Sequence, residues 1–329
     1  MSPPDDLLPS RTGYLTAMRG LEARLAAEGF RAPLVRVPHH RAHAASAALC
    51  LPDATGAVLT ADGMGEWTTA ATWDVQRGLP RRRRAASYPH SPGKVYAAVT
   101  RWLGFPPESD EGKTMGLAAY GDAASPAAAF GRSLLRPDAR RLLRVDLARF
   151  GYPWGEARLF GDAFLSSLGP ARPADAELRP GDADVARGAQ DAVEAFALAA
   201  ARGVLEETGA RALGLAGGLF LNCAMNGRLA RELPVPVLPM PAAGDSGAAL
   251  GAVALLHRER TGVPLAPLRT LRLGNGLSDA EAEAALRGAG SAPLPLETLA
   301  REGAVRLARG ALVGVARGGA EFGPRALGG

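Results

Sequence analysis

The chain has 329 residues, 47% of them hydrophobic, enough for one large domain or two ordinary ones with real cores. Its formal charge of +5 is diffuse and carried almost wholly by arginine, with Lys94 and Lys113 the only lysines, which argues against the clustered phosphate-binding stripe of a nucleic-acid protein. Two cysteines cannot build a disulfide framework, and no run of about eighteen apolar residues or secretory leader occurs, so a cytoplasmic protein without membrane association is expected, with Cys50 and Cys223 as small core residues.

In chain order, helical periodicity covers about Leu15 to Glu28, and "APLVRVP" reads as a strand leading into "HHRAHAASAA". On a helix, His39 and His43 stand four apart and share one face, whereas His40 points about a quarter-turn away. That spacing suits two ligands of one metal ion if further ligands converge from elsewhere; the alternative is a helix start that happens to be rich in histidine. "TGAVLTADGMGEWTTAATWDV" follows as a buried strand ending at Asp62 and Gly63, a glycine-bearing turn, and an alternating strand. Asp62 fits either a hard oxygen ligand or an ordinary Asx turn, and the glycines beside it would let backbone amides face a phosphate. Arg81 to Arg84 follow the turn-like "RGLP" and read as a solvated hairpin arm.

Ser87 to Gly121 reads as two loops and a helix; the turn at Ser91 to Gly93 beside His90 is open to a structural or a catalytic reading, and Lys113 has a local ion pair with Asp110 or Glu111 as its simplest explanation. The segment Asp122 to Asp182, rich in proline and arginine, reads as an irregular insertion. "DADVARGAQDAVEAFALAAARGVLEETG" is a helix ended by Gly209. Then "ARALGLAGGLFLNCAMNGRLAREL" gives strand, Gly217-Gly218 turn and helix, and "VPVLPMPAAGDSGAALGAVALLHRE" gives strand, loop and helix. Repeated strand–helix units indicate an α/β fold. Gly217 and Gly218 would let a nucleotide approach the backbone. Asp245 reads as a helix N-cap or as a fourth ligand facing the same crevice as Asp62. Two histidines and two aspartates make a mixed nitrogen and oxygen site for Fe(II) or Zn(II) with an open position for substrate. No Walker loop, G-x-S-x-G or H-E-x-x-H is present.

Taken in order, "PHHRAHAASAA", "LTADGMGEW", "YPHSPGKVYAAVTRWLGF", "EGKTMGLAAYG", "AGGLFLNCAMNGRL", "PAAGDSGAALGA" and "EFGPRALGG" resemble the O-carbamoyltransferases of the NodU, CmcH and TobZ type, densely from Val35 to His257 and again from Gly319 to Gly328. The resemblance implies an actin-like ATPase domain of ribonuclease-H-like type, related to threonylcarbamoyl-transfer proteins, over residues 1–262, a linker over 263–295, and the truncated start of a YrdC-like domain over 296–329. It implies carbamoyl adenylate, formed from carbamoyl phosphate and ATP, as donor to a small-molecule hydroxyl acceptor. It carries His39, His43, Asp62 and Asp245 over as ligands of a divalent metal, usually iron. Gly63, Gly217, Gly218, Asn222 and Arg325 would contact the nucleotide, with His40 and Lys113 as catalytic candidates. Against family members the chain starts after an early strand and histidine-bearing loop, and stops before most of the YrdC-like domain, which makes a dimer or a partner chain supplying that domain an expectation. A sugar-kinase-like phosphotransferase and a non-catalytic metal- or nucleotide-binding remnant are the alternatives.

Overall fold

The computed structural model describes residues 20–154, 159–276, 278–291, 294–315 and 319–324. They belong to two compact units, residues 1–267 and 268–329. The first contains helices α1 (Leu21–Ala27) and α2 (His39–Ala48), strands β1 (Gly56–Gly65), β2 (Thr68–Gln76) and β3 (Leu79–Ser87), and helices α3 (Pro92–Trp102), α4 (Glu111–Ala118) and α5 (Pro126–Ser133). The hairpin β4 (Leu135–Asp138) and β5 (Leu142–Val145), helix α6 (Asp162–Leu168) and the long α7 (Asp182–Thr208) follow, then β6 (Leu213–Ala216), α8 (Cys223–Glu232), β7 (Val237–Pro239) and α9 (Asp245–Thr261).

The main sheet runs β3-β2-β1-β6-β7, with β2 antiparallel to both neighbours and β1, β6 and β7 parallel. This is the ribonuclease-H-like order on which actin-like folds are built. Successive side chains of a strand point to opposite faces. Ala57, Leu59 and Ala61 of β1 are therefore buried among α3 and α7, while Thr60 and Asp62 face α2. Helix α2 lies almost wholly buried, its alanines allowing close approach of both the sheet and α9.

Several elements depart from the sequence reading. Residues 32–38 form no strand; Pro33 and Pro38 lack the N–H a ladder needs, and the segment is mostly exposed. Of the expected first helix, residues 15–19 lie outside the described residues and Leu21–Ala27 is helical. Strand β1 does not stop at Asp62 but continues to Gly65 through a register shift after Ala61. The second loop before Gly121 is helix α4. Arg81 to Arg84 do occupy a hairpin arm, β3, at one edge of the sheet, where charge discourages edge-to-edge pairing; Arg83 reaches Glu207 of α7 at 3.0 Å. Cys50 is half-buried and Cys223 exposed, so neither is a fully buried core residue.

The segment read as irregular is ordered around aromatic rings. Ser125 caps α5 by accepting from the Ala128 N–H at 3.1 Å. Fully buried Phe164 packs against Trp102, Phe130, Phe150 and Phe160 at centroid separations of 5.4 to 6.2 Å. Its elements are too short to show periodicity. Phe164→Ala is expected to destabilise the unit by about 3–5 kcal/mol in urea unfolding, because no neighbour can collapse into a ring-sized void.

In the second unit, α10 (Asp279–Gly288) begins with a capping box between Ser278 and Glu281, and α11 (Leu296–Ala308) follows; neither helix buries a residue. Among the described residues no helix is long and apolar enough to cross a membrane.

Candidate metal centre

Four side chains from three elements converge where α2, β1 and the start of α9 meet. One ligand atom from each of His39, His43, Asp62 and Asp245 lies within 4.8 Å of the others. The two Nε2 atoms are 3.0 Å apart, and His43 Nε2 is 3.1 Å from Asp62 Oδ2. The separations of His39 Nε2 from Asp62 Oδ2, and of both Nε2 atoms from Asp245 Oδ1, are all 3.5 Å. Ligands about 2.1 Å from one ion stand about 3.0–3.4 Å apart in tetrahedral or adjacent octahedral positions. The donor set, two imidazole nitrogens and two carboxylates, suits Fe(II) or Zn(II).

Local sequence explains the placement. Helical spacing stacks His39 over His43. The side chain of Glu66, at the β1–β2 turn, accepts the His39 N–H at 3.1 Å and so satisfies one of the open donors at the start of α2. Gly65 leaves room for the His39 ring, since any Cβ there would collide with it. The register shift in β1 frees Asp62 from the regular ladder. Its Oδ1 accepts the Gly63 N–H at 2.7 Å and its Oδ2 the Gly218 N–H at 3.2 Å. Asp245 is the first residue of α9, not its cap: Gly244 holds the cap position and no side chain caps the helix. Gly251 lets α9 lie directly on the Ala42 carbonyl and Ser46 amide of α2, which carries Asp245 to the histidines.

Electrostatics match the geometry. Burial by itself would raise the Asp62 carboxyl, but hydrogen bonds to His39 and His43, the His43 charge and the Gly63 N–H together hold it far below the usual carboxylate range. Burial would likewise lower His43, yet hydrogen bonds to Asp245 and Asp62 raise it. Bonding to His43 keeps Asp245 low despite partial burial. These opposed shifts mark a cluster of anionic carboxylates facing imidazoles, the charge arrangement that a divalent cation complements.

The remaining candidates lie elsewhere or act differently. His40 is buried with Nδ1 2.9 Å from Thr60 Oγ1, itself the acceptor for Trp73 Nε1 at 3.0 Å. Burial, then the neighbouring His43, drops its pKa to about 3, so it is a neutral member of the wall beneath the cluster. His40→Ala should leave metal content unchanged while lowering stability by about 1–3 kcal/mol, checked by elemental analysis and thermal melting. Lys113 is a surface residue paired with Asp110 at 2.7 Å. The Gly63 and Gly218 amides are turned onto Asp62 and orient that carboxylate. Gly217, at φ +102°, packs against the Ala61 backbone. Asn222 caps α8 through Met225 N at 3.0 Å and forms a reciprocal amide pair with Gln190 at 2.7 and 3.0 Å. Arg325 lies outside the described residues. Sequence reasoning missed Glu66, Gly65 and the Thr60–Trp73 support, although Gly65 and Glu66 lie within the quoted "LTADGMGEW" stretch.

Comparison with known proteins adds a family-level finding. A family model described as the carbamoyltransferase N-terminus matches residues 14–254. The chain is 36% identical over 310 residues to an uncharacterized protein of Synechocystis sp., covering 90% of this chain and 50% of that protein. It is 31% identical over 307 residues to the nodulation protein NolNO of Sinorhizobium fredii, covering 89% and 42% respectively. It is also 31% identical over 303 residues to the nodulation protein NolO of Bradyrhizobium diazoefficiens, covering 88% and 52%. The chain thus spans about half the length of the curated relatives it matches. Among solved structures, full-length HypF in a phosphate- and nucleotide-bound form aligns with a TM-score of 0.42 at 15% identity, covering 78% of this chain and 43% of that one. Component A of the (R)-2-hydroxyglutaryl-CoA dehydratase of Acidaminococcus fermentans aligns at 0.40 and 15%, covering 77% and 86%.

Proposed function

The chain belongs to the carbamoyltransferase N-terminus family, and on that premise we propose that it is the metal-holding transfer domain of an O-carbamoyltransferase acting on a hydroxyl of a small molecule. The observation that carries the reading is the convergence of His39, His43, Asp62 and Asp245, from positions far apart in the chain, onto one point at the carboxyl end of the buried central strand. Open α/β sheets bind ligands at such strand ends.

The proposed donor is carbamoyl adenylate made from carbamoyl phosphate and ATP. In the transfer the acceptor oxygen bonds to the carbamoyl carbon, the bond from that carbon to the phosphate oxygen breaks, AMP leaves, and the hydroxyl proton is lost. His39, His43, Asp62 and Asp245 would hold a divalent ion, which would supply Lewis acidity toward the oxygen charge that develops during acyl transfer. The chain's own work is positioning. Gly63 and Gly218 fix the Asp62 carboxylate through their N–H groups, and Glu66 fixes the start of the histidine helix. The buried side of the cluster, floored by neutral His40 and Thr60, excludes water. Asp245, with a side chain 79% exposed, marks the open side by which substrates arrive. The segment around Gly217 is proposed to contact the nucleotide.

The test is incubation with carbamoyl phosphate, ATP and hydroxyl acceptors, with the chain alone and with a C-terminal half from a longer relative added in trans. AMP release with a carbamoylated product supports the reading. ADP formation independent of carbamoyl phosphate would establish a phosphotransferase instead, and bound metal without turnover in either arrangement would establish a binding role only. Chelation is expected to lower the melting temperature, and added Fe(II) or Zn(II) to restore it, since a ligand that binds only the folded state stabilises it.

A further inference from the structure

A second cluster, separate from the four ligands, lies beside the β4–β5 hairpin. A cavity of about 470 Å³ there is lined by His90, Ser133, Arg136, Arg144, Val145, Asp146 and Leu147. Arg136 and Arg144 are direct partners across the hairpin, so their side chains stand on the same face. Like charges placed directly opposite destabilise a strand pair. Little nearby acid relieves them. Among the described residues Arg136 forms no ion pair with a carboxylate, Arg144 meets Asp138 only at 3.4 Å, and Asp146 is engaged by Arg149 at 2.7 Å.

His90 completes the wall. Its Nδ1 accepts the Val145 N–H at 3.2 Å, its carbonyl accepts from Thr69 Oγ1 at 2.6 Å, and its N–H donates to the Ser87 carbonyl at 3.0 Å. A ring that accepts at Nδ1 carries its proton on Nε2 and offers a donor there. Burial and the Arg141 and Arg144 guanidiniums lower its pKa, which keeps the ring neutral and a donor at physiological pH. Two guanidiniums from paired positions on one face of the hairpin and one imidazole N–H, all lining the same cavity, form a donor set complementary to a tetrahedral oxyanion. The cavity is larger than a bare phosphate needs and falls within the range of small-molecule pockets.

We propose that His90, Arg136 and Arg144 form a binding site for the phosphate group of a phosphorylated small molecule, distinct from the His39, His43, Asp62 and Asp245 cluster. The anion resolves the arginine juxtaposition across the hairpin, and the rest of the ligand fills the cavity. The site stands independently of the carbamoyl-transfer reading.

The test is a titration of the full 15N-labelled chain with inorganic phosphate, with glucose 6-phosphate and with glucose, following the Val145 amide. Both phosphates should shift that amide saturably and glucose should not. Arg136→Gln combined with Arg144→Gln should weaken phosphate binding by about tenfold or more. Without phosphate this variant should melt no lower than the wild type, because a repulsion has been removed, and phosphate should raise the melting temperature of the wild type alone. His43→Ala should bind phosphate like the wild type. Absence of a saturable shift, equal affinity in the double variant, or loss of phosphate binding in His43→Ala would each overturn the proposal.

Discussion

Replacing His43 by alanine is expected to abolish stoichiometric divalent metal in the purified chain, with affinity falling by more than about a hundredfold, beyond the 10–100-fold typical of a merely orienting partner. His43 is the best-enclosed of the four, its side chain 0% exposed, and its Nε2 reaches the ligand atoms of all three others at 3.0 to 3.5 Å. Asp62→Asn should approach the same loss, because the two Gly N–H groups that orient the carboxylate cannot restore the removed charge. Asp245→Asn should weaken binding less, since its side chain is largely exposed and water can replace an oxygen there. Elemental analysis and competition with a chromogenic chelator measure all three, and circular dichroism confirms the fold. Metal retained at one equivalent in both the His43 and the Asp245 variants would end the ligand assignment.

The shared face of His39 and His43 and the strand-end position of Asp62 were legible in the sequence for a physical reason, whereas Asp245 stayed open between cap and ligand and the four as one set came from the family resemblance. Helical periodicity fixes His39 relative to His43 without any tertiary information, and an aspartate at the carboxyl end of a buried strand has a restricted set of neighbours. The strand–helix alternation from Leu213 onward and the end of α7 at Gly209 were legible in the same way. What the sequence did not disclose depends on packing. The β1 register shift, the role of Gly251 and the turning of the Gly63 and Gly218 amides toward Asp62 are consequences of distant backbones meeting. The Gly217 to Asn222 segment shows the same dependence: that Gly217 lies on the Ala61 backbone, and that the Asn222 amide meets Gln190 while capping α8, is set by packing and not by local pattern. The Phe164 cluster was missed because tertiary ring contacts hold together elements too short to signal themselves.

The second large effect concerns Gly251, which never touches the cluster. A methyl group there would collide with the Ala42 carbonyl and crowd the Ser46 amide, so Gly251→Ala must push α9 off α2. Overpacking of this kind costs about 1–3 kcal/mol. Because Asp245 rides on α9 and the histidines ride on α2, the same displacement separates the ligands, and metal affinity should fall by about tenfold or more. Gly203→Ala is the matched control: it lies inside α7 with open space around its Cβ, and should stabilise by about 0.5–1 kcal/mol with unchanged metal content. Equal metal affinity in the two variants would show that close approach of α9 and α2 does not set the ligand geometry.

The spread of the four ligands along the polypeptide has a consequence for biogenesis. His39, His43 and Asp62 leave the ribosome early, whereas Asp245 emerges only after the central helix and the last parallel strands have been made. With these four as the proposed ligands, a nascent chain would offer three of the four donors before α9 docks, and tight capture would wait for that helix. Cation acquisition would then be a late checkpoint: a polypeptide stalled or clipped before that helix would compete poorly for a scarce divalent metal.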